Sequence, residues 1–132
     1  MISLTRNDTG DVLNLPDYLR WSDEFDWGQL AQSAPQRTLS GAIIVQQGVK
    51  RAGRPITLSN SDSANWLRRR TVETLQEWAG VPDLTLQLDY HGKRFGVIFR
   101  SHDKAISAEP VRWTHDEDGN DYYHAAIYLL TV

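Results

Sequence analysis

Two carboxylates on either side of a glycosidic bond can hydrolyse it, and one segment of this chain carries three acidic residues close together. Asp23, Glu24 and Asp26 lie between Trp21 and Trp27, whose indole rings could stack on a sugar. Aromatic and acidic residues also alternate here, which equally predicts a β-strand with one solvated face. Since the sequence does not fix the distance between the carboxylates, we favour the strand and keep a small hydrolase as an alternative.

The acidic segment 116–121 and four scattered histidines are the candidates for metal ligands. A calcium loop of the EF-hand type needs glycine at its sixth position and glutamate at its twelfth, whereas Gly119 is fourth counting from Asp116 and no such glutamate follows. The chain has no cysteine, which excludes thiolate zinc sites and cysteine nucleophiles. We therefore predict a solvated turn at 116–121, and no metal or cofactor. The histidines are His91, His102, His115 and His124.

The candidate nucleophile and phosphate-binding motifs do not have the neighbouring residues that such motifs require. Gly48 and Gly53 have Walker spacing, but Arg54 and Pro55 follow where lysine and serine or threonine are needed. The serines at 59–63 precede a predicted helix, where capping explains them. We predict that the protein is not an enzyme.

Basic and aromatic side chains are the stronger functional signal. Arginine, tryptophan and tyrosine are enriched in protein–protein interfaces, and the chain contains five Trp and five Tyr. A phosphate-binding patch is the less favoured alternative, because the formal net charge is −3. The ordinary interpretation of the helix arginines is a solvated face. The candidate interface residues are Trp21, Trp27, Lys50, Arg51, Arg54, Arg68 and Arg69.

These residues must be positioned by one domain spanning 1–132, a length that supports a single hydrophobic core. Hydrophobic residues make up 40% of the chain, as in ordinary globular proteins. No apolar run approaches the roughly 20 residues that span a bilayer, and the N-terminus lacks the apolar core of a signal peptide. We expect a protein made in the cytoplasm without a membrane anchor.

One helix is predicted at about 63–79. Its apolar face recurs at helical spacing, Asp62 or Ser63 can cap its start, and Gly80 followed by Pro82 ends it. The residues on this face are Leu67, Thr71, Leu75 and Trp78.

The rest of the pattern predicts about seven antiparallel strands, in a β-sandwich or partly closed barrel with the helix packed against it. The longest strand, at 122–132, is apolar on both faces and is predicted to be central. His91 and Gly92 form a predicted tight turn between two strands within 84–100. Residues 1–18 are a candidate extended arm and 46–54 a candidate mobile loop. The other predicted strands are 2–6 or 12–15, 21–27, 37–45, 55–58 and 111–114.

The second part of the chain resembles a family. It is similar to the small minor tail and distal tail proteins at the tail tip of long-tailed bacteriophages, over roughly residues 37–132. The phrases that carry the resemblance are 54–58, the helix with Trp66 and Trp78, 84–100, 108–111, and Tyr122 with Tyr123 before the last strand.

The resemblance implies a fold shared with the tail tube and a structural role without active-site residues. Such proteins form rings, often hexameric, that join the tail tube to the baseplate or to receptor-binding components. The implied partners are copies of the chain and other tail proteins such as the tube and baseplate hub, in a virion made in the bacterial cytoplasm. DNA would pass the ring's lumen without specific binding. Residues 1–18 and 46–54 are then the candidate intersubunit arms.

A carbohydrate-binding β-sandwich module is the alternative to this structural role. It would use Trp21, Trp27 or Trp113 as sugar platforms, and it predicts that these rings are exposed on one face.

Overall fold

The structure is a computed structural model, and it describes residues 2–16, 19–59, 67–111 and 122–132. Within these ranges the chain forms thirteen strands, all paired antiparallel, and one helix. The elements are β1 (Ile2–Arg6), β2 (Val12–Leu15), β3 (Arg20–Trp21), β4 (Leu30–Gln32), β5 (Gln36–Arg37), β6 (Ile43–Ile44), β7 (Gln47–Val49), β8 (Pro55–Ser59), β9 (Leu67–Arg68), α1 (Arg69–Ala79), β10 (Leu86–Tyr90), β11 (Lys93–Phe99), β12 (Ile106–Pro110) and β13 (Tyr122–Thr131).

Nine of the strands form one sheet built around β13. The order is β2-β1-β10-β11-β13-β8-β3, and β12 and β9 also pair with β13. Along one edge β13 pairs first with β9 and then with β8, and along the other first with β12 and then with β11. Among the described residues β2 and β3 end the sheet without pairing to each other, so it does not close into a barrel. The mainly antiparallel β class with one helix and the central last strand are confirmed.

The core explains why these segments become strands. Alternate residues of the central strands point inward and are wholly buried, while their neighbours are partly exposed, the two-residue period of a half-buried strand. Full burial of one such side chain stabilises the fold by about 1.5–3 kcal/mol. Helix α1 covers the core with Leu75 and Trp78. The wholly buried residues of the central strands are Ile56, Leu58, Leu86, Leu88, Val97, Ile127 and Leu129.

The turn between β10 and β11 lies where the sequence predicts it. His91 and Gly92 both have positive φ angles, 49° and 88°. This is the pattern of a two-residue type I′ turn, whose twist matches that of the strands it joins.

The helix begins later than predicted. Leu67 and Arg68 pair with Tyr123 and Tyr122 as strand β9, and the backbone of Arg68 is extended, so a helix over 63–79 is wrong at these two residues. Leu67 is buried in a strand that pairs with β13. This is a long-range contact, and the helix propensity of the local sequence does not indicate it. The predicted N-cap residues Asp62 and Ser63, and Trp66, lie outside the described residues, whereas Gly80 ends the helix as predicted.

Four further predictions need correction, and a fifth lies mostly outside the described residues. Residues 2–16 are not an extended arm, because Ile2 and Leu4 are wholly buried and β1 pairs on both sides. The strand at 21–27 is limited to its start, since a turn follows Trp21. The strand at 37–45 is two short strands joined by a turn, and the loop at 46–54 contains β7. Of the predicted strand 111–114, only Val111 lies within the described residues, where it is a bend.

Candidate assembly surface: an exposed arm and its basic base

Residues 30–49 leave the main sheet as a two-stranded ribbon, which we name the arm. Leu30 pairs with Val49 in the β4–β7 ladder, and Arg37 pairs with Ile43 in the β5–β6 ladder nearer the tip. Among the described residues these two ladders pair only within the arm. Ten residues from root to tip, at about 3.3 Å each, give the arm a reach of up to about 30 Å.

Local hydrogen bonds explain why the chain turns back at the tip. The Gly41 amide donates to the Thr38 carbonyl at 3.0 Å, and the Thr38 amide donates to the Ala42 carbonyl at 2.8 Å. Gly41 has φ +87°, a conformation that residues with side chains rarely adopt. Glycine at this position therefore makes a turn where the apolar pattern alone predicts a continuous strand.

The arm exposes several large apolar side chains to solvent. Two-stranded ribbons are marginal in water by themselves, and exposed apolar patches mark binding sites. The arm is also almost uncharged, since Arg37 is its one charged residue. These properties are typical of a segment that is covered by a partner. Its exposed apolar residues are Leu30, Leu39, Ile43, Ile44, Val45 and Val49.

The root of the arm is held by cations stacked on tryptophan rings. The Arg54 guanidinium lies 4.4 Å from the centre of the Trp21 ring and 5.8 Å from that of Trp27. The Lys50 ammonium lies 5.1 Å from the Trp27 ring, and its backbone amide donates to the Gln29 carbonyl at 2.8 Å. The two ends of the arm are thus joined where it leaves the domain.

A pocket of about 340 Å³ opens beside this root. Its basic lining consists of Lys50, Arg51, Arg54 and Arg94, and we name it the root pocket. Trp27 and Phe95 contribute its aromatic lining.

The structure divides the predicted interface residues into two groups. Trp27, Lys50, Arg51 and Arg54 come together at the root pocket, with Trp21 beneath Arg54. Arg68 and Arg69 lie at the other end of β13, beside Tyr122 and Tyr123, which is about 30 Å away along a ten-residue strand. Arg69 also pairs with Glu73 at 2.9 Å.

Trp21 belongs to the core. Its side chain is only 6% exposed and packs edge-on against Tyr90 and Phe95, with ring centres 5.8 and 5.4 Å apart. This burial is inconsistent with its predicted role as an exposed contact residue or sugar platform. Trp27 is half-buried, and Trp113 lies outside the described residues.

The acidic segment after Trp21 is a turn fastened to β8. The Asp23 carboxylate accepts hydrogen bonds from the Thr57 amide at 2.9 Å and from the Thr57 hydroxyl at 3.0 Å. Glu24 lies 3.9 Å from the Lys93 ammonium, and Asp26 is exposed. The structure therefore gives Asp23 a structural contact, one that the sequence did not indicate.

In the described ranges no three His, Asp or Glu side chains come together in a way that could hold a metal ion. The acidic segment 116–121 and His115 lie outside these ranges.

The candidate intersubunit arms predicted from the sequence, 1–18 and 46–54, do not include residues 30–45, which form the rest of the exposed arm. The available signals were Gly41 inside an apolar run and the absence of any acidic residue between Asp26 and Asp62. Phe25, 91% exposed at the turn beside the arm root, was also missed.

The fold and this surface define a mainly antiparallel β domain with one helix and an exposed apolar arm. Comparison of the chain with models of protein families, with curated proteins and with solved structures found no match. Within the described part of the chain, no helix has the length and apolarity required to cross a membrane.

Proposed function

We propose that this chain is a structural subunit of a phage tail tip, and that copies of it form a ring connecting the tail tube to the baseplate or receptor-binding components. The observation that carries the proposal is the arm. Its apolar residues are exposed, whereas most large apolar residues in the main sheet are buried.

The dimensions of the arm favour a neighbouring subunit as its cover. A compact domain of 132 residues has a radius of gyration of about 14 Å, so an arm reaching up to about 30 Å can extend across a neighbour of the same size. An arm that projects from one side and docks elsewhere on the next copy makes a head-to-tail contact. Such contacts generate rings when the rotation closes.

The resemblance to small tail-tip proteins gives this assembly its biological setting. It extends over residues 37–132 and so includes the arm tip, the returning strand and the basic lining of the root pocket. In this setting the partners are identical copies, in a ring of six, and the adjoining tube and baseplate proteins. The main alternative, a carbohydrate-binding module, loses one of its three aromatic platforms, because the Trp21 ring is buried.

Light scattering behind a sizing column, over a wide range of protein concentration, tests the proposal. We expect the wild-type chain to form a closed oligomer that appears as a ring in negative stain. A variant combining Leu39→Ser, Ile43→Ser and Ile44→Ser should remain monomeric with unchanged circular dichroism, because it removes apolar area that is exposed in the monomer.

Val12→Ser is the matched control, because Val12 and Ile43 are equally exposed, 58% each, and Val12 lies on β2, outside the arm. The control should assemble as the wild type does. A wild-type chain that is monomeric at every concentration, or a triple variant that still forms rings, contradicts the proposal.

A further inference from the structure

We infer that the root pocket binds carboxylate side chains of a second copy of this chain. The inference rests on the proposed function, which places a neighbouring copy on the arm, and it adds the chemistry of that contact. Lys50, Arg51, Arg54 and Arg94 line the pocket, whereas no acidic residue does.

The positive charge of the pocket is not neutralised within the described part of the subunit. The nearest ion pair there joins Lys93 to Glu24, at a long 3.9 Å, and no ion pair involves Arg51, Arg54 or Arg94. The Arg54 guanidinium donates through Nη2 to a backbone carbonyl, that of Glu24, at 2.6 Å. Its Nε is buried without a hydrogen-bond partner among these residues. Four cations therefore share a concave surface that no Asp or Glu side chain of the described residues lines.

Charge complementarity indicates the occupant. The chain has 17 acidic and 14 basic side chains, so the four in the pocket leave 10 basic against 17 acidic elsewhere. Outside its own root pocket, a second copy therefore carries more acidic than basic side chains, which favours a carboxylate as the group that enters the pocket. Arginine binds carboxylates with paired, charge-assisted hydrogen bonds, which fix orientation as well as affinity.

The pocket is also continuous with the arm. Trp27 and Lys50 line the pocket and flank the two ends of the arm, and Lys50 is hydrogen-bonded to Gln29 across the root. A copy that covers the arm down to Leu30 and Val49 therefore passes directly over the pocket.

A nucleic acid is the less favoured occupant. Single-stranded nucleic acids bind where bases stack on free aromatic faces beside a basic groove. The Lys50 ammonium and the Arg54 guanidinium lie 5.1 and 5.8 Å from the centre of the Trp27 ring, so this ring is not free to stack on a base. The chain as a whole is also negatively charged, which opposes binding to a polyanion.

Charge reversal tests the inference on the full chain. Arg51→Glu and Arg94→Glu each place a carboxylate at the wall of the pocket. Both native residues are exposed, so the variants should fold, and thermal unfolding checks that they do. Sedimentation velocity at about 0.05 and 0.5 M sodium chloride measures self-association, with charge screening much stronger at the higher salt. We expect each variant to weaken association at least about tenfold at low salt, and salt to weaken the wild type similarly.

Lys104→Glu is the control, because Lys104 is an exposed cation away from the pocket, and it should change association by less than about twofold. Assembly that depends on the arm but is insensitive to salt and to both pocket reversals overturns the inference and leaves the proposed function standing. A monomeric wild type contradicts both. Binding of an oligothymidylate that is lost in Arg51→Glu and Arg94→Glu, with self-association unchanged, assigns the pocket to nucleic acid and also overturns the inference.

Discussion

The guanidinium of Arg54 lies 4.4 Å from the centre of the buried Trp21 ring, and this contact joins the root of the arm to the core. The Arg54 amide donates to the Thr131 hydroxyl at 2.8 Å, and its carbonyl accepts from the Thr131 amide at 3.0 Å. The residue is thus fastened to β13 through its backbone and to the core through its side chain. The direction in which the arm leaves the domain is therefore set by packed contacts.

Arg54→Lys should lower the free energy of unfolding by about 1–2 kcal/mol. Lysine keeps the charge but loses the planar group that lies on the indole ring and donates to the Glu24 carbonyl. Chemical denaturation measures the change. Arg51→Lys at the neighbouring exposed position should have little effect, and equal losses in the two variants would show that the stacking contributes nothing specific.

Asp23→Ala should destabilise the protein by about 1–3 kcal/mol, because it removes both acceptors of the Thr57 amide and hydroxyl. A double-mutant cycle with Thr57→Val isolates the hydroxyl part, which should couple to Asp23 by about 0.5–1.5 kcal/mol. Asp26→Ala, at an exposed position of the same turn, is the control. Additive effects of Asp23→Ala and Thr57→Val would contradict the hydroxyl contact, and a loss in Asp23→Ala no larger than in Asp26→Ala would contradict the structural role of Asp23.

Gly92→Ala should cost about 1 kcal/mol of stability, because Gly92 has φ +88° and alanine is strained in that region. Thermal unfolding measures the loss. Gly48→Ala is a close control, since an added methyl group meets nothing within 4 Å at either position and only Gly92 has a positive φ. If the two variants lose the same stability, turn conformation is not the cause.

The exposed ion pair between Arg6 and Asp8 should contribute to the free energy of unfolding in a way that depends on pH. Hydrogen bonds from the Arg6 guanidinium, at 3.0 and 2.8 Å, are the main cause that lowers the pKa of the Asp8 carboxyl below its usual range, and partial desolvation opposes them. Because the folded-state pKa is lowered, the stabilisation is complete above the unfolded pKa of Asp8 and is lost as pH falls through the folded value.

The stability difference between wild type and Asp8→Asn should therefore shrink in acid and in high salt. An NMR titration of the Asp8 carboxyl should give a midpoint below the ordinary aspartate value of about 3.9. In Arg6→Gln this midpoint should rise. A midpoint that does not respond to Arg6→Gln would show that the pair does not form in solution.

The sequence predicts the elements whose signals are local. Two-residue alternation in β10, β11 and β13 and the His91-Gly92 turn all lie where expected, because pattern and turn chemistry agree there. The helix is right over Arg69–Ala79 and wrong at Leu67 and Arg68, where pairing with Tyr123 and Tyr122 overrides the helical period.

The site is only partly predictable, for a physical reason. The cationic residues around 50–54 stand out by composition, but Arg94 joins them only through the long-range pairing of β11 with β13, whose end also lines the pocket. The apolar run at 37–45 has the composition of a core strand and instead forms the tip of the arm. Only the three-dimensional placement shows that its large apolar side chains face solvent, and so distinguishes an exposed ribbon from a core strand.

A fluorescent label at the arm tip reports whether assembly covers the arm. The chain lacks cysteine, so Leu39→Cys introduces one unique thiol for an environment-sensitive dye at a fully exposed position, and Ser101→Cys does the same away from the arm. As protein concentration rises through the assembly transition, the dye at position 39 should shift to shorter wavelength and become protected from a soluble quencher, while the dye at position 101 should not. If the chain assembles while the dye at position 39 stays fully accessible to the quencher, the arm is not the assembly surface.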